Sequence, residues 1–230
     1  LPLKIYGHGW ILTDDKKMSK SIGNILDPIA IIDKYGIDQL RYYLIKEVSL
    51  GNDGNISMEN LKNCINNDLA NNFGNLCQRV FSFIERNCSG KLPKPNKFEE
   101  IDLNLLDNLT NKVDELIIDM NKQDLNNYVK KVIDFSFSAN KYFNDLEPWA
   151  LKKTNIDRMN TILYTIVTQI KNISILLSPI IPISSTKILD IMNLKIEDRL
   201  LKSIIKKNIF NHDLEFKKTS ILFKKIDNDN

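Results

Sequence analysis

The chain has 230 residues, 43% of them hydrophobic and 27% charged, enough apolar material for a packed core and too much for a disordered segment. Its 32 basic and 29 acidic residues leave a formal charge of +3, too slight to argue for nucleic-acid binding by itself. The most apolar stretch, 173–183, is broken by Ser174, Ser178, Pro179 and Pro182, so no segment reaches the roughly 20 apolar residues that a membrane-spanning helix needs.

Residue 1 is Leu, and residues 1–12 lack the basic start and small-residue cleavage site of a secretory signal. The sequence therefore reads as an excised piece of a longer, cytoplasmic protein. Cys64, Cys77 and Cys88 are odd in number and spaced by neither a disulfide framework nor a Cys-x-x-Cys zinc site. They are expected to be reduced and mostly packed, and no metal site is expected.

In chain order, residues 3–12 hold Ile5, Tyr6, Trp10, Ile11 and Leu12 around Gly7 and Gly9, the pattern of a strand entering a loop. The loop covers 13–24. Asp27 as a cap and Pro28 in the first turn predict a short helix over 29–34, stopped by Gly36. Asp38 is read as the cap of a second helix over 39–48. Gly51, Asn52, Asp53 and Gly54 mark a turn that separates the first unit from the rest.

Ser57 then caps a helix predicted to run to about 87, where Gly90, Pro93 and Pro95 break it. Apolar periodicity predicts further helices over 103–120, 125–146, 156–177 and 183–192. Leu214, Phe216, Ile221 and Phe223 suggest a tail that returns to pack. The expected fold is mainly α: residues 1–54 a small α/β unit, 55–212 an antiparallel helical bundle, and 213–230 a tail on the bundle or on a catalytic domain.

The strongest motif is Lys17-Met18-Ser19-Lys20-Ser21, followed by Ile22-Gly23-Asn24. Two lysines bring mobile positive charge, two serines offer hydroxyl donors, and Gly23 lets the backbone swing. A Lys-Ser-rich loop is also what solvated surface looks like, because short motifs recur by accident. Here a predicted strand precedes it and a capped helix succeeds it. The motif resembles the signature loop of class I aminoacyl-tRNA synthetases, and His8-Gly9-Trp10 resembles the approach strand before it. The resemblance implies that residues 17 to 21 close on ATP phosphates during aminoacyl-adenylate formation, with Lys20 first and Lys17 second as the transition-state contacts. Mg²⁺ is implied alongside ATP. His8 is read as structural.

That loop alone leaves the valine, leucine and isoleucine enzymes open. The segments C-terminal to it resemble methionyl-tRNA synthetases in particular: Leu40-Arg41-Tyr42-Tyr43-Leu44, Glu47-Val48, Gly51-Asn52-Asp53-Gly54, Asp68-Leu69-Ala70-Asn71 and Gly74-Asn75-Leu76. At about 100° per residue from Asn71, Asn75 falls near 40°, Gln78 near 340° and Arg79 near 80°, while Leu69, Phe73, Leu76 and Val80 fall between about 140° and 200°. A polar stripe thus lies opposite an apolar one, as on many solvated helices. By resemblance, Asn71, Asn75 and Arg79, with Trp149 of Glu147-Pro148-Trp149, match the positions that recognise the CAU anticodon of tRNA(Met). Amides and guanidinium groups read the edges of unpaired bases and an indole stacks on their faces. Trp149 also suits a core anchor at a helix start.

The resemblance leaves out an N-terminal nucleotide-binding half with a His-Ile-Gly-His signature, the methionine pocket, and an inserted domain that can hold zinc. The chain is read as part of a methionine-tRNA ligase and is not expected to be active alone. The partners implied are tRNA(Met), ATP and methionine, with neither membrane nor DNA. The alternatives are a freestanding helical RNA-binding or scaffold module without catalysis, and another class I synthetase.

Overall fold

A computed structural model of the chain describes residues 1–13, 15–19, 21, 23–205, 210, 214–218 and 220–226. Helices dominate, beside one small sheet. Strand β1 (Ile11–Thr13) pairs antiparallel with β2 (Lys16–Lys17) and parallel with β3 (Gly54–Ile56), so β1 is central. Leu12 faces Lys17 and Ile11 faces Gly54. The strand is far shorter than the 3–12 expected from its apolar residues, because its two partners extend no further than this short ladder. The expected loop over 13–24 also differs, since Lys16 and Lys17 return along β1 as a strand of their own.

The backbone just before β1 is held against the turn that precedes β3. A Cβ on Gly9 would lie 2.2 Å from the Asn52 carbonyl oxygen, so only glycine lets these segments approach. Trp10 donates its N–H to Asp53 Oδ1 at 2.6 Å, and Gly54 donates to the Trp10 carbonyl at 2.8 Å.

Helix α1 (Pro28–Tyr35) begins as its sequence requires, with Asp27 accepting from the Ile29 N–H and Pro28 in the first turn. It ends at Gly36, whose φ of 105° suits glycine. Helix α2 (Ile37–Glu47) comes at once, and Asp38 is not its cap. Asp38 is buried, and its Oδ2 accepts from the Ser184 N–H at 2.6 Å, in the first turn of α10 (Pro182–Ile191). An aspartate ahead of a helical stretch reads as a local cap; here it serves the start of a helix 146 residues away. Arg41 strengthens the same junction, donating to the carbonyls of Ile180 and Pro179 at 2.8 and 2.9 Å.

Ser57 caps the long helix as expected, accepting from the Asn60 N–H. The helix is not uniform. Between α3 (Met58–Cys64) and α4 (Asn75–Asn87), residues Ile65–Gly74 are π-helical, and the Asn75 N–H reaches back five residues to the Ala70 carbonyl. Buried and half-buried polar side chains fasten this wide stretch from several directions. Asp68 accepts from Tyr42 and Lys46. Asn72 donates to Ser136 Oγ at 2.6 Å and accepts from Asn140 at 2.7 Å. Asn66 exchanges two hydrogen bonds with the backbone of Ile226.

The expected helix over 103–120 is two, α5 (Glu100–Thr110) and α6 (Val113–Lys122), parted by a turn at Asn111 and Lys112 with neither Gly nor Pro to announce it. Helix α7 (Leu125–Asp145) and helix α9 (Ile156–Leu177) match their expected spans closely. Helix α9 is buried on nearly every face, Thr161, Gln169, Lys171 and Ser174 included, which marks it as the central helix of the bundle. Between them lies the short α8 (Pro148–Leu151), and after α10 come a 3₁₀ turn (Ile196–Arg199) and α11 (Leu201–Ile205).

The tail does pack back. Leu92 donates to the Leu214 carbonyl and Phe216 to the Gly90 carbonyl. The Phe216 ring lies 5.3 Å from that of Phe81, and Phe223 is buried against Gly74. Ile221, expected to join them, is exposed. The cysteines are free thiols, with Cys64 and Cys77 buried. Burial pushes the Cys64 thiol up to about 12 and moves Cys77 in the same direction. No helix among the described residues is long and apolar enough to cross a membrane.

Candidate phosphate loop and nucleic-acid interface

The loop after β1 is folded onto itself. Asn24 holds it, accepting from the Ser19 N–H at 2.8 Å and donating to the Lys17 carbonyl at 3.4 Å. The Gly23 N–H closes on the Ser19 carbonyl at 3.1 Å with φ of 72°, and the hydroxyls of Ser19 and Ser21 lie 2.7 Å apart. Met18 and Ser19 are half-buried, and Ser21 is exposed. Lys17 projects from β2 with its ammonium 4.2 Å from the centroid of the Trp10 ring, a cation–π contact that no local pattern of residues foretells. Lys20, the first candidate for the transition-state contact, lies outside the described residues.

The polar face of the long helix is outward, as its periodicity requires. Asn71 and Asn75 are exposed, while Leu69, Phe73, Leu76 and Val80 are fully buried. The count of 100° per residue holds only from Asn75 onward, because Asn71 stands on the wider π-helical stretch.

Arg79 and Trp149 come from different helices and meet. Trp149 is 43% exposed, so the indole is no sealed core anchor. Its ring sits edge-on to Phe143 at 5.7 Å. The guanidinium of Arg79 lies 5.3 Å from the Phe143 ring centroid and 5.8 Å from that of Trp149, and it donates to Asn144 Oδ1 at 2.8 Å. A planar cation is thus held between two aromatic rings and a fixed amide, with much of the indole left to solvent.

The approach of Trp149 depends on an unusual backbone. Glu147 has φ of 40°, a left-handed value for a non-glycine residue, immediately before Pro148. This left-handed residue turns the chain sharply at the end of α7 and starts α8 with Trp149 beside Arg79.

Around this cluster lies a cleft of about 410 Å³, lined by Gln78, Arg79, Ser82, Arg86, Phe143 and Trp149 among others. Sequence reasoning misses Phe143, Arg86 and the bond from Lys152 Nζ to Asn87 Oδ1 at 2.8 Å. Arg86 is within its reach, since it falls seven residues after Arg79 and so on nearly the same helix face. Phe143 is not, because contact between α7 and α4 is tertiary. Among the described residues no group of three or more His, Cys, Asp or Glu side chains is arranged to hold a metal ion.

Residues 1–81 match the family described as class I tRNA synthetases (M), and residues 92–230 match the anticodon binding domain of methionyl tRNA ligase. The methionine–tRNA ligase of Brucella suis biovar 1 (strain 1330) is 40% identical over 205 residues, covering 89% of this chain and 40% of that protein. That of Rickettsia felis (strain ATCC VR-1525 / URRWXCal2) is 37% identical over 232 residues, covering 100% and 45%. The structure of Mycobacterium tuberculosis methionyl-tRNA synthetase in complex with methionyl-adenylate superposes with a TM-score of 0.92 at 32% identity, over 97% of this chain and 44% of that one. The chain spans less than half the length of these relatives. A match running from 92 to 230 takes in more than half of the sequence, and the chain therefore belongs to the methionyl-tRNA ligase family.

Proposed function

We propose that this chain works as part of a methionine-tRNA ligase, the enzyme that activates methionine with ATP and transfers it to tRNA(Met). In this reading residues 17 to 21 serve the ATP phosphates, and Asn71, Asn75, Arg79 and Trp149 read the CAU anticodon. Residues 1–54 end the catalytic part, 55–212 bind the anticodon, and 213–230 form a tail for the bundle or the catalytic domain. The methionine pocket and any zinc belong to sequence outside this chain, and the setting is the cytoplasm.

The observation that carries the reading is the half-exposed indole of Trp149 beside the guanidinium of Arg79. A base with no pairing partner can stack on the indole while the guanidinium and the nearby amides meet its polar edge. Discrimination comes from the edge contacts and affinity from stacking.

At the loop, the negative charge that develops as pyrophosphate leaves during methionyl-adenylate formation would be met by the ammonium groups of Lys17 and Lys20. Lys17 must leave the Trp10 ring to do so, and Gly23 gives the backbone freedom for that movement. Magnesium would arrive on the ATP phosphates. The described loop offers it amines, hydroxyls and amides, and Asp15 is bonded to Asn55.

The test is Trp149→Ala in the intact protein. Methionine charging onto tRNA should fall through weakened tRNA binding, while methionine-dependent exchange of pyrophosphate into ATP stays near the wild-type rate. An equal loss of both would assign the indole a folding role and remove it from the site.

A further inference from the structure

A second cavity, of about 160 Å³, lies away from the residues assigned above, among α5, α9 and α11. Phe98, Leu103, Leu106 and Ile204 give it apolar walls, and Lys171 and Asn172 of α9 line it as well. Both of these polar residues are 3% exposed. Neither is fully matched by the protein around it. The Lys171 ammonium faces the Phe210 ring at 5.1 Å, and among the described residues it has no hydrogen bond or ion pair. Asn172 Oδ1 is buried without a hydrogen-bond partner.

The hydroxyls of the cavity are already engaged. Thr168 donates to the Tyr164 carbonyl at 2.8 Å, Thr110 to the Leu106 carbonyl at 3.1 Å, and Ser203 to the Asp198 carbonyl at 2.8 Å. Asp107 also lines the cavity and has an interaction of its own, so the polar atoms left unmatched are one cation and one acceptor beside an apolar surface. A buried ammonium without a counter-ion is costly, as is a buried amide oxygen without a donor. Asp198 attracts the ammonium only from beyond ion-pair range, and burial pulls Lys171 down to about 8 regardless.

We propose that this cavity binds a small carboxylate with an apolar body and a neighbouring hydroxyl or amine. Its carboxylate pairs with Lys171 Nζ, its donor group bonds Asn172 Oδ1, and its body lies against Phe98, Leu103 and Leu106. The volume sets the size, since a cavity of about 150 Å³ holds a molecule such as benzene. The charge sets the sign: a neutral isostere leaves Lys171 as it was, and a cation adds repulsion to it. The proposal does not depend on the anticodon reading, because no residue is shared between the two sites.

The probe is leucate, the hydroxy acid bearing a leucine side chain, titrated calorimetrically into the intact protein at pH 7 beside its neutral amide. Leucate should bind saturably with a dissociation constant below about 1 mM, at least ten times tighter than the amide. Lys171→Met should lose at least tenfold for leucate and leave the amide unaffected, with helical circular dichroism showing that it is folded. Asn172→Leu should weaken both. The proposal is overturned if leucate shows no saturable binding, if leucate and amide bind alike, or if folded Lys171→Met binds leucate as well as the wild type. Should Lys171→Met not fold, the discrimination between leucate and amide by the wild type decides alone.

Discussion

Arg79 and Trp149, seventy residues apart in sequence, place a guanidinium carbon 5.8 Å from an indole centroid in the lining of a cleft. If the pair acts as one surface, its members are energetically coupled. Arg79→Ala and Trp149→Ala should each weaken tRNA binding by roughly 1–3 kcal/mol, and the double variant should lose clearly less than the sum. Filter binding of the four proteins at one fixed salt concentration measures this. Strict additivity would mean that the two residues work independently.

Lys17 gives a prediction at the other end of the chain. Lys17→Ala in the intact protein should slow methionyl-adenylate formation by about 10²-fold or more, the usual scale for a transition-state charge contact. Methionine affinity, measured by equilibrium dialysis, should change little, because the contact is made only as charge develops. A matched loss of methionine affinity would contradict the role.

Asp102 is fully buried, in a bidentate pair with Arg158 at 2.6 and 2.9 Å and as the acceptor of the Tyr142 hydroxyl. Burial alone would raise its carboxyl, but the bonds from Arg158 and Tyr142 prevail and hold it below the usual carboxylate value. A depressed value means stability that is present above the unfolded pKa, about 3.9, and lost as pH falls from there through the lower folded value. Asp102→Asn should cost about 3 kcal/mol at pH 7, since it leaves the buried Arg158 only the more exposed Glu99 carboxylate, 3.3 Å from its Nε, as counter-ion, and should flatten the acid limb of the stability curve. Urea unfolding across pH shows both.

Lys171 has the opposite character, a cation disfavoured by its surroundings. Its amine is pulled from 10.5 down to about 8 by burial, so between those values the unfolded chain binds the extra proton and stability rises with pH. Lys171→Met should therefore be more stable at pH 7 by on the order of 2 kcal/mol, or roughly 4–8 °C in Tm. The advantage should shrink by about pH 10. A constant difference at all pH values would remove the lysine as its cause.

Local signals in the sequence are the legible ones. Asp27, Pro28 and Gly36 delimit α1, Ser57 caps the long helix, and the outward face of Asn71, Asn75 and Arg79 comes from apolar spacing alone. The failures are tertiary or non-standard. Asp38 carries the signature of a cap but caps α10. The π-helical stretch is invisible to a count that assumes 3.6 residues per turn. The break at Asn111 and Lys112 uses no helix breaker. Family resemblance is enough to group Trp149 with Arg79; the physical means, Phe143 against both and a left-handed Glu147 before Pro148, emerges only from the folded chain.

The most direct test of the anticodon surface is competition among RNA hairpins that differ only in the anticodon triplet, bound to the intact protein at constant ionic strength, since phosphate attraction is unselective and salt-dependent. The hairpin with CAU should displace the others at least tenfold more effectively, and Trp149→Ala should erase most of that preference. Equal displacement by every triplet would contradict the account.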